Sequence, residues 1–185
     1  MKTRNLTTIG LFTAVLCILG PIAIVLPFSP VPLSLGTLGV MLACTILGAK
    51  SGLLCTTLYL LLGFAGLPVF TGFTGGAGKL LGPTGGYMVG YLFLAFIGGT
   101  LANIWRRARI LQALGLFIGM LFCYLFGTLW LMVQAGLDFT AALWVGVIPY
   151  VPFDVCKIVV TLLMGRRIQR RLHTSLSTVT LQLFL

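Results

Sequence analysis

Apolar residues run through this chain in blocks long enough to cross a bilayer as helices, roughly 17 to 25 residues each, and its polar residues gather in the intervals between them. Hydropathy read together with the Gly and Pro breaks predicts six spans, at about 7–27, 33–48, 51–66, 86–104, 110–134 and 144–165. Pro21 falls inside the first span and predicts a kink there, tolerated because neighbouring helices satisfy a freed carbonyl. The second span is short, and is either little tilted or begins within the re-entrant segment PFSPVPLS, residues 27–34. The opening MKTRNLTTIG has the basic start of a signal peptide, but 10–26 carries no small-residue cleavage site and is kept as the first span. The expected fold is all-α: a polytopic membrane protein with six transmembrane helices in one bundle.

Composition agrees. Of 185 residues, 59% are hydrophobic and 8% charged, and a mean hydropathy of +1.13 lies far from that of a soluble domain. Charge then gives the spans a direction. Lys2, Arg4, Lys50, Arg106, Arg107, Arg109, Arg166, Arg167, Arg170 and Arg171 fall on one side of the six-span arrangement, and only Lys79 falls on the other. This is the positive-inside pattern, and it predicts that both termini are cytoplasmic. It accounts for a formal charge of +10 without nucleic acid, by anchoring at anionic headgroups of the lipid bilayer. Residues 1–171 are read as one membrane domain and 172–185, LHTSLSTVTLQLFL, as a cytoplasmic tail with no assigned role. Cys17, Cys44, Cys55, Cys123 and Cys156 lack paired spacing and read as small core residues, and a lone His173 in the tail speaks against a metal site.

Function must come from a short polar inventory. The chain has two acids. Asp138, in QAGLDFT, reads as a solvated carboxylate or a helix cap. Asp154 lies in VPFDVCKIVV, where Lys157 follows three residues later on the same helix face. An ionisable pair inside a membrane is costly and marks a functional site, the alternative being a mutually neutralised pair that only orients its helix. Residues 63–91 hold ten glycines and form a long outer loop that opens the fourth span as GPTGGY, with Thr84, Gly85, Gly86 and Tyr87 at its mouth. Glycine-rich loops of this length are more often lids or binding elements than plain connectors. A P-loop is excluded, since Gly78 and Lys79 are followed by Leu80. Any ATP consumed in transport is therefore hydrolysed on another subunit. One intramembrane acid and no intramembrane histidine also leave little acid or base capacity for an enzyme.

GPTGGY opening the fourth span, the PVP-containing first loop and P-x-D-x-x-K opening the sixth together resemble the BioY family, the biotin-binding S-components of energy-coupling factor (ECF) vitamin transporters. The likeness runs to about residue 170. It implies biotin capture at the external face of a prokaryotic cytoplasmic membrane, no cofactor, and partnership with a T-component and two ABC ATPases, with a stand-alone biotin or related-vitamin carrier as the alternative. Gly10 and Ala14, four apart on the first span, match a small-residue pattern that in S-components contacts the T-component. Two departures stand out: Ser34, Leu35 and Gly36 replace a Thr-Leu-Gln stretch, and Phe153 stands where glycine is common.

Biotin offers a ureido ring with two N–H donors and one carbonyl, an apolar ring system and chain, and a carboxylate. Asp154 and Lys157 suit the ureido groups together. In a second arrangement Lys157 takes the ligand carboxylate and Asp154 alone serves the ring nitrogens. Lys79 is the other cation available to the carboxylate. Phe73, Tyr87, Met88, Tyr91 and Tyr150 are the expected apolar and aromatic lining.

Overall fold

A computed structural model describes residues 3–27, 29–106 and 108–182, with side chains described except at 3, 4, 166 and 169–182. The chain is helical almost throughout: α1 (Thr3–Leu19), α2 (Gly36–Leu47), α3 (Ala49–Phe64), the short α4 (Ala77–Leu81), α5 (Gly85–Phe93), α6 (Gly99–Ile104), α7 (Arg109–Ala135), α8 (Phe139–Gly146) and α9 (Val151–Gln182). A π-helical turn, Leu94–Gly98, joins α5 to α6, so that 85–104 forms one continuous helix of 20 residues. That helix and the 27-residue α7 are each long and apolar enough to cross a membrane.

The other spans depart from expectation in informative ways. Pro21 ends α1 at Leu19 instead of kinking it, and the chain passes into a two-residue antiparallel ribbon, β1 (Ala23–Ile24) against β2 (Leu33–Ser34). Ribbon and turn take up the residues assigned to the start of the second span, which leaves α2 with 12 residues. The last span is broken. α8 and α9 meet at a 47° bend, where Pro149 and Pro152 deny the backbone N–H groups that a continuous helix would need. Pro152 is tolerated inside α9 because it lies in the first turn, where N–H groups have no intrahelical acceptor. The boundary expected at 171/172 falls within α9.

Small residues set how closely the helices approach. On α7, Gly115 and Gly119 face α6 and the π turn, and a methyl group at Gly119 would lie 2.6 Å from the Gly98 Cα. This is the small-xxx-small packing that stands in for the hydrophobic effect where the surrounding solvent is itself apolar. Gly52 brings α3 against Cys44 of α2 in the same way, its added Cβ falling 2.5 Å from the Cys44 Cα. Gly48, with φ +92°, supplies the left-handed turn between those two helices. The outer surface is as apolar as the core. Leu121, Phe122, Leu125 and Leu129 of α7 and Val155, Val159 and Leu163 of α9 are exposed, as expected of helices that face lipid.

The structure also gathers basic residues at one end. Asn103 Nδ2 donates to Cys44 O at 3.3 Å, and Gly165 lies beside Thr45, so the α2–α3 turn with Lys50, the α6–α7 turn with Arg106, and Arg167 of α9 share that end. Lys79 and Asp138, the latter following α7, lie at the other. The glycine-rich loop at that far end is well anchored: Phe70 is fully buried against Gly63, Tyr59 Oη donates to Val69 O at 3.1 Å, and Gly72 N donates to Pro21 O at 3.0 Å.

Candidate functional site

The first turn of α9 places Asp154 and Lys157 on its inner face, both buried. Lys157 Nζ donates to Asp154 Oδ1 at 2.8 Å, to Ser34 O at 2.7 Å and to Thr37 Oγ1 at 2.9 Å, which uses all three ammonium protons. Asp154 Oδ1 also receives a longer bond from Thr37 Oγ1 at 3.5 Å, and Oδ2 accepts from the Tyr124 hydroxyl. Counting two lone pairs on each oxygen, Oδ2 keeps one acceptor position open. A carboxylate in the first turn is further favoured by the partial positive charge of the helix N-terminus. The pair is thus neutral as a unit and saturated on its cationic side, and it presents a single acceptor to an incoming N–H.

Beside it is a narrow cavity, whose empty space with its open mouth included is about 380 Å³. Asp154, Lys157, Ser34 and Thr37 form its polar end, and Tyr87, Tyr91, Tyr124, Tyr150, Met120 and Val31 supply aromatic and apolar wall. Tyr87 is fixed by a bond to Gly146 O at 3.1 Å and by Gly127, where an added Cβ would fall 2.2 Å from the ring. Tyr150 Oη lies 2.7 Å from Ser29 Oγ and also donates to Val31 O, while Ser29 Oγ donates to Val145 O at 2.9 Å. The first loop is therefore clasped as the cavity wall by groups from α8, from α9 and from the turn between them.

The residues expected from sequence separate into two sets. Asp154, Lys157, Tyr87, Tyr91 and Tyr150 line one cavity. Thr84, Gly85, Gly86, Lys79, Phe73 and Met88 are not among its lining residues. Thr84 is buried at the N-cap of α5. A side chain at Gly85 would strike Leu80 O, and one at Gly86 would strike Trp130 and Phe126 O, so both glycines serve close packing against α4 and α7. Lys79 is half-buried on α4, Phe73 is exposed in the outer loop with φ +56°, and Met88 is buried in the core. Asp138 occupies the N-cap of α8 without a side-chain cap bond, and Cys156 is exposed, unlike Cys44, Cys55 and Cys123.

Tyr124, Thr37 and Met120 escaped the sequence reading, and Ser34 was named there only as a departure from the family pattern. A signal for two of them was present: Gly115, Gly119, Cys123 and Gly127 recur every four residues along α7 and mark its inner face, which Met120 and Tyr124 adjoin. Among the described residues no group of three or more His, Cys, Asp or Glu is placed to hold a metal ion.

A helical membrane protein whose buried ion pair and ring of tyrosines enclose a small-molecule cavity belongs with proteins that bind solutes, and comparison with known proteins narrows the class. The chain belongs to the BioY family, whose model matches residues 1–174. It is 38% identical over 177 residues to the biotin transporter BioY of Rhizobium etli, covering 91% of this chain and 94% of that one. It is 41% identical over 177 residues to the biotin transporter BioY of Rhodobacter capsulatus, covering 89% and 93%. The crystal structure of the S-component for biotin from an ECF-type ABC transporter superposes with a TM-score of 0.84 at 31% identity, covering 91% of this chain and 92% of that one. Members of this family are transporters, not enzymes.

Proposed function

We propose that this chain captures biotin as the substrate-binding S-component of an ECF-type ABC transporter in a prokaryotic cytoplasmic membrane, with six membrane crossings and both termini cytoplasmic. The observation that carries the reading is the cavity itself: its polar end is an ion pair with one open carboxylate acceptor, and its remaining wall is aromatic and apolar. Biotin has that polarity, a ureido ring at one end of an apolar body. A ureido N–H meets the open position on Asp154 Oδ2, and the tyrosines enclose the rings. Because Lys157 is fully bonded, it binds ligand only by exchanging one of its present acceptors, Ser34 O being the one without charge or hydroxyl. Lys79 lies by the outer loop, at the opposite end of the molecule from the basic cluster, and does not line the cavity.

Gly10 and Ala14 are both exposed on α1, and a side chain at Gly10 would meet nothing within 4 Å. The buried face of that helix is Ile9, Phe12, Thr13 and Leu16. This supports a role for the small pair in contact with the T-component, which in turn works with two ABC ATPases.

Calorimetry of biotin binding to the detergent-purified chain tests the substrate. Tight binding that Asp154→Asn abolishes is expected, and absence of binding to monodisperse, helical protein refutes it. Uptake in liposomes distinguishes the assemblies: uptake that needs the partners and ATP supports the S-component, and uptake by the chain alone makes it a stand-alone carrier. Leucine at both Gly10 and Ala14 is expected to remove co-purification with the T-component and to spare biotin binding.

A further inference from the structure

At the basic end of the molecule, away from the biotin cavity, an open groove of about 1040 Å³ runs between the α2–α3 turn and the face of α6 and the π turn. Its walls divide by chemistry. Leu47, Phe96 and Ile104 make an apolar trough, while Lys50 and Ser51 stand on the turn at its side. Thr100 and Asn103 also line it, but Thr100 Oγ1 donates to Phe96 O, and Asn103 Nδ2 donates to Gly99 O and Cys44 O. Donor chemistry in the groove therefore falls to the Lys50 ammonium, which is exposed, and the Ser51 hydroxyl.

The charge around the groove is of one sign. Arg106 and Arg109 follow Ile104 in the α6–α7 turn. Of the two acids in the chain, Asp154 is bonded to Lys157 inside the bundle and Asp138 lies beyond the far end of α7. Among the described residues no carboxylate side chain competes for Lys50, and the first turn of α3 adds the positive end of its dipole. Phe96 and Ile104 are exposed large hydrophobics, as suits a trough that opens toward acyl chains.

We infer that this groove binds an anionic phospholipid, its phosphodiester headgroup on Lys50 and Ser51 and an acyl chain along Leu47, Phe96 and Ile104. A lone anion has no use for the trough, and a zwitterionic lipid brings an ammonium into a region already rich in cations. Each lysine near an anionic membrane surface contributes roughly a fivefold preference, so the selection rests largely on the one lysine placed inside the groove.

Native mass spectrometry of the full chain in neutral detergent, titrated with phosphatidylglycerol or phosphatidylcholine, tests the site. One phosphatidylglycerol is expected to bind in preference to phosphatidylcholine. Lys50→Gln should weaken it about fivefold and Lys50→Glu about tenfold or more, with unchanged gel-filtration profile and helix content. Gln134→Glu, which alters net charge at the opposite end, should have no effect, and Phe96→Ala should weaken phosphatidylglycerol binding with Lys50 intact. Equal binding of the two lipids, or a preference that survives Lys50→Glu, overturns the inference. So does a Lys50→Cys variant that crosslinks to a co-purified transporter subunit through the groove, because the occupant is then protein.

Discussion

Neutralising Asp154 as asparagine leaves an ammonium buried between Ser34 O and Thr37 Oγ1 with an amide where its counter-charge had been. Breaking a buried pair from one side costs about 3–5 kcal/mol, because the remaining charge stays desolvated. Two of the three acceptors of Lys157 survive the change, which places the loss near the lower figure, about 3 kcal/mol. Lys157→Met should cost about the same. There the carboxylate keeps the Tyr124 donor and loses the lysine. With both residues replaced, no charge remains to be desolvated. The double variant should then cost less than either single one, so that the two losses fail to add by more than about 3 kcal/mol. Unfolding of the three variants and the parent in one detergent, followed by circular dichroism, measures the cycle. If the double variant loses the sum of the singles, the two groups are energetically independent and the neutral-pair account of the site is wrong. Biotin calorimetry on the same samples separates stability from recognition: the double variant should be the more stable relative to its summed losses and still fail to bind.

Other expectations follow from single contacts. Tyr124→Phe removes the donor to Asp154 Oδ2, and a hydrogen bond to a charged group is worth about 1.5–3 kcal/mol of stability, so unfolding in detergent followed by circular dichroism should show a loss of about that size. Gly127→Ala sets a methyl group against the Tyr87 ring; the strain of overpacking, about 1–3 kcal/mol, should appear both as a lower unfolding temperature and as weaker biotin binding. Gly52→Ala, at the Cys44 contact between α2 and α3, should lower stability by a similar amount of about 1–3 kcal/mol and leave affinity within about twofold, since neither residue borders the cavity.

The helices at 85–104 and 109–135 were legible because hydropathy over a window of that length has few competing explanations. Pro21 was read as a kink, while Pro149 and Pro152 were passed over inside the sixth span at 144–165, because whether a proline kinks or ends a helix depends on what catches the freed groups. For Pro21 the answer is the ribbon with residues 33–34 and the loop contact from Gly72, both distant in sequence. Asp154 and Lys157 could be singled out because charge is scarce in this chain. Thr37 could not, because a threonine in an apolar span is ordinary and acquires its role only when another helix delivers an ammonium to it, and Tyr124 was marked only by its place beside the small-residue face of α7. Gly85 and Gly86 show the reverse problem: a glycine that lets a ligand approach and one that lets Trp130 approach leave the same letter in the sequence.

The turn between α8 and α9 has a consequence that hydropathy conceals. WVGVIPYVPF, residues 144–153, has the Tyr150 hydroxyl, the Trp144 indole N–H and otherwise no polar side-chain group, yet the carbonyls of Val145 and Gly146, released where α8 stops, receive Ser29 and Tyr87. Interrupting an apolar helix releases main-chain oxygens from their intrahelical donors, and a side-chain donor that reaches one of them is held firmly. The interruption therefore acts as a polar surface whose acceptors are main-chain carbonyls, built from the shape of the backbone and placed by two prolines. A substitution that restored helix through this turn would leave composition and hydropathy almost unchanged, and would withdraw the two acceptors that hold the cavity in its present form.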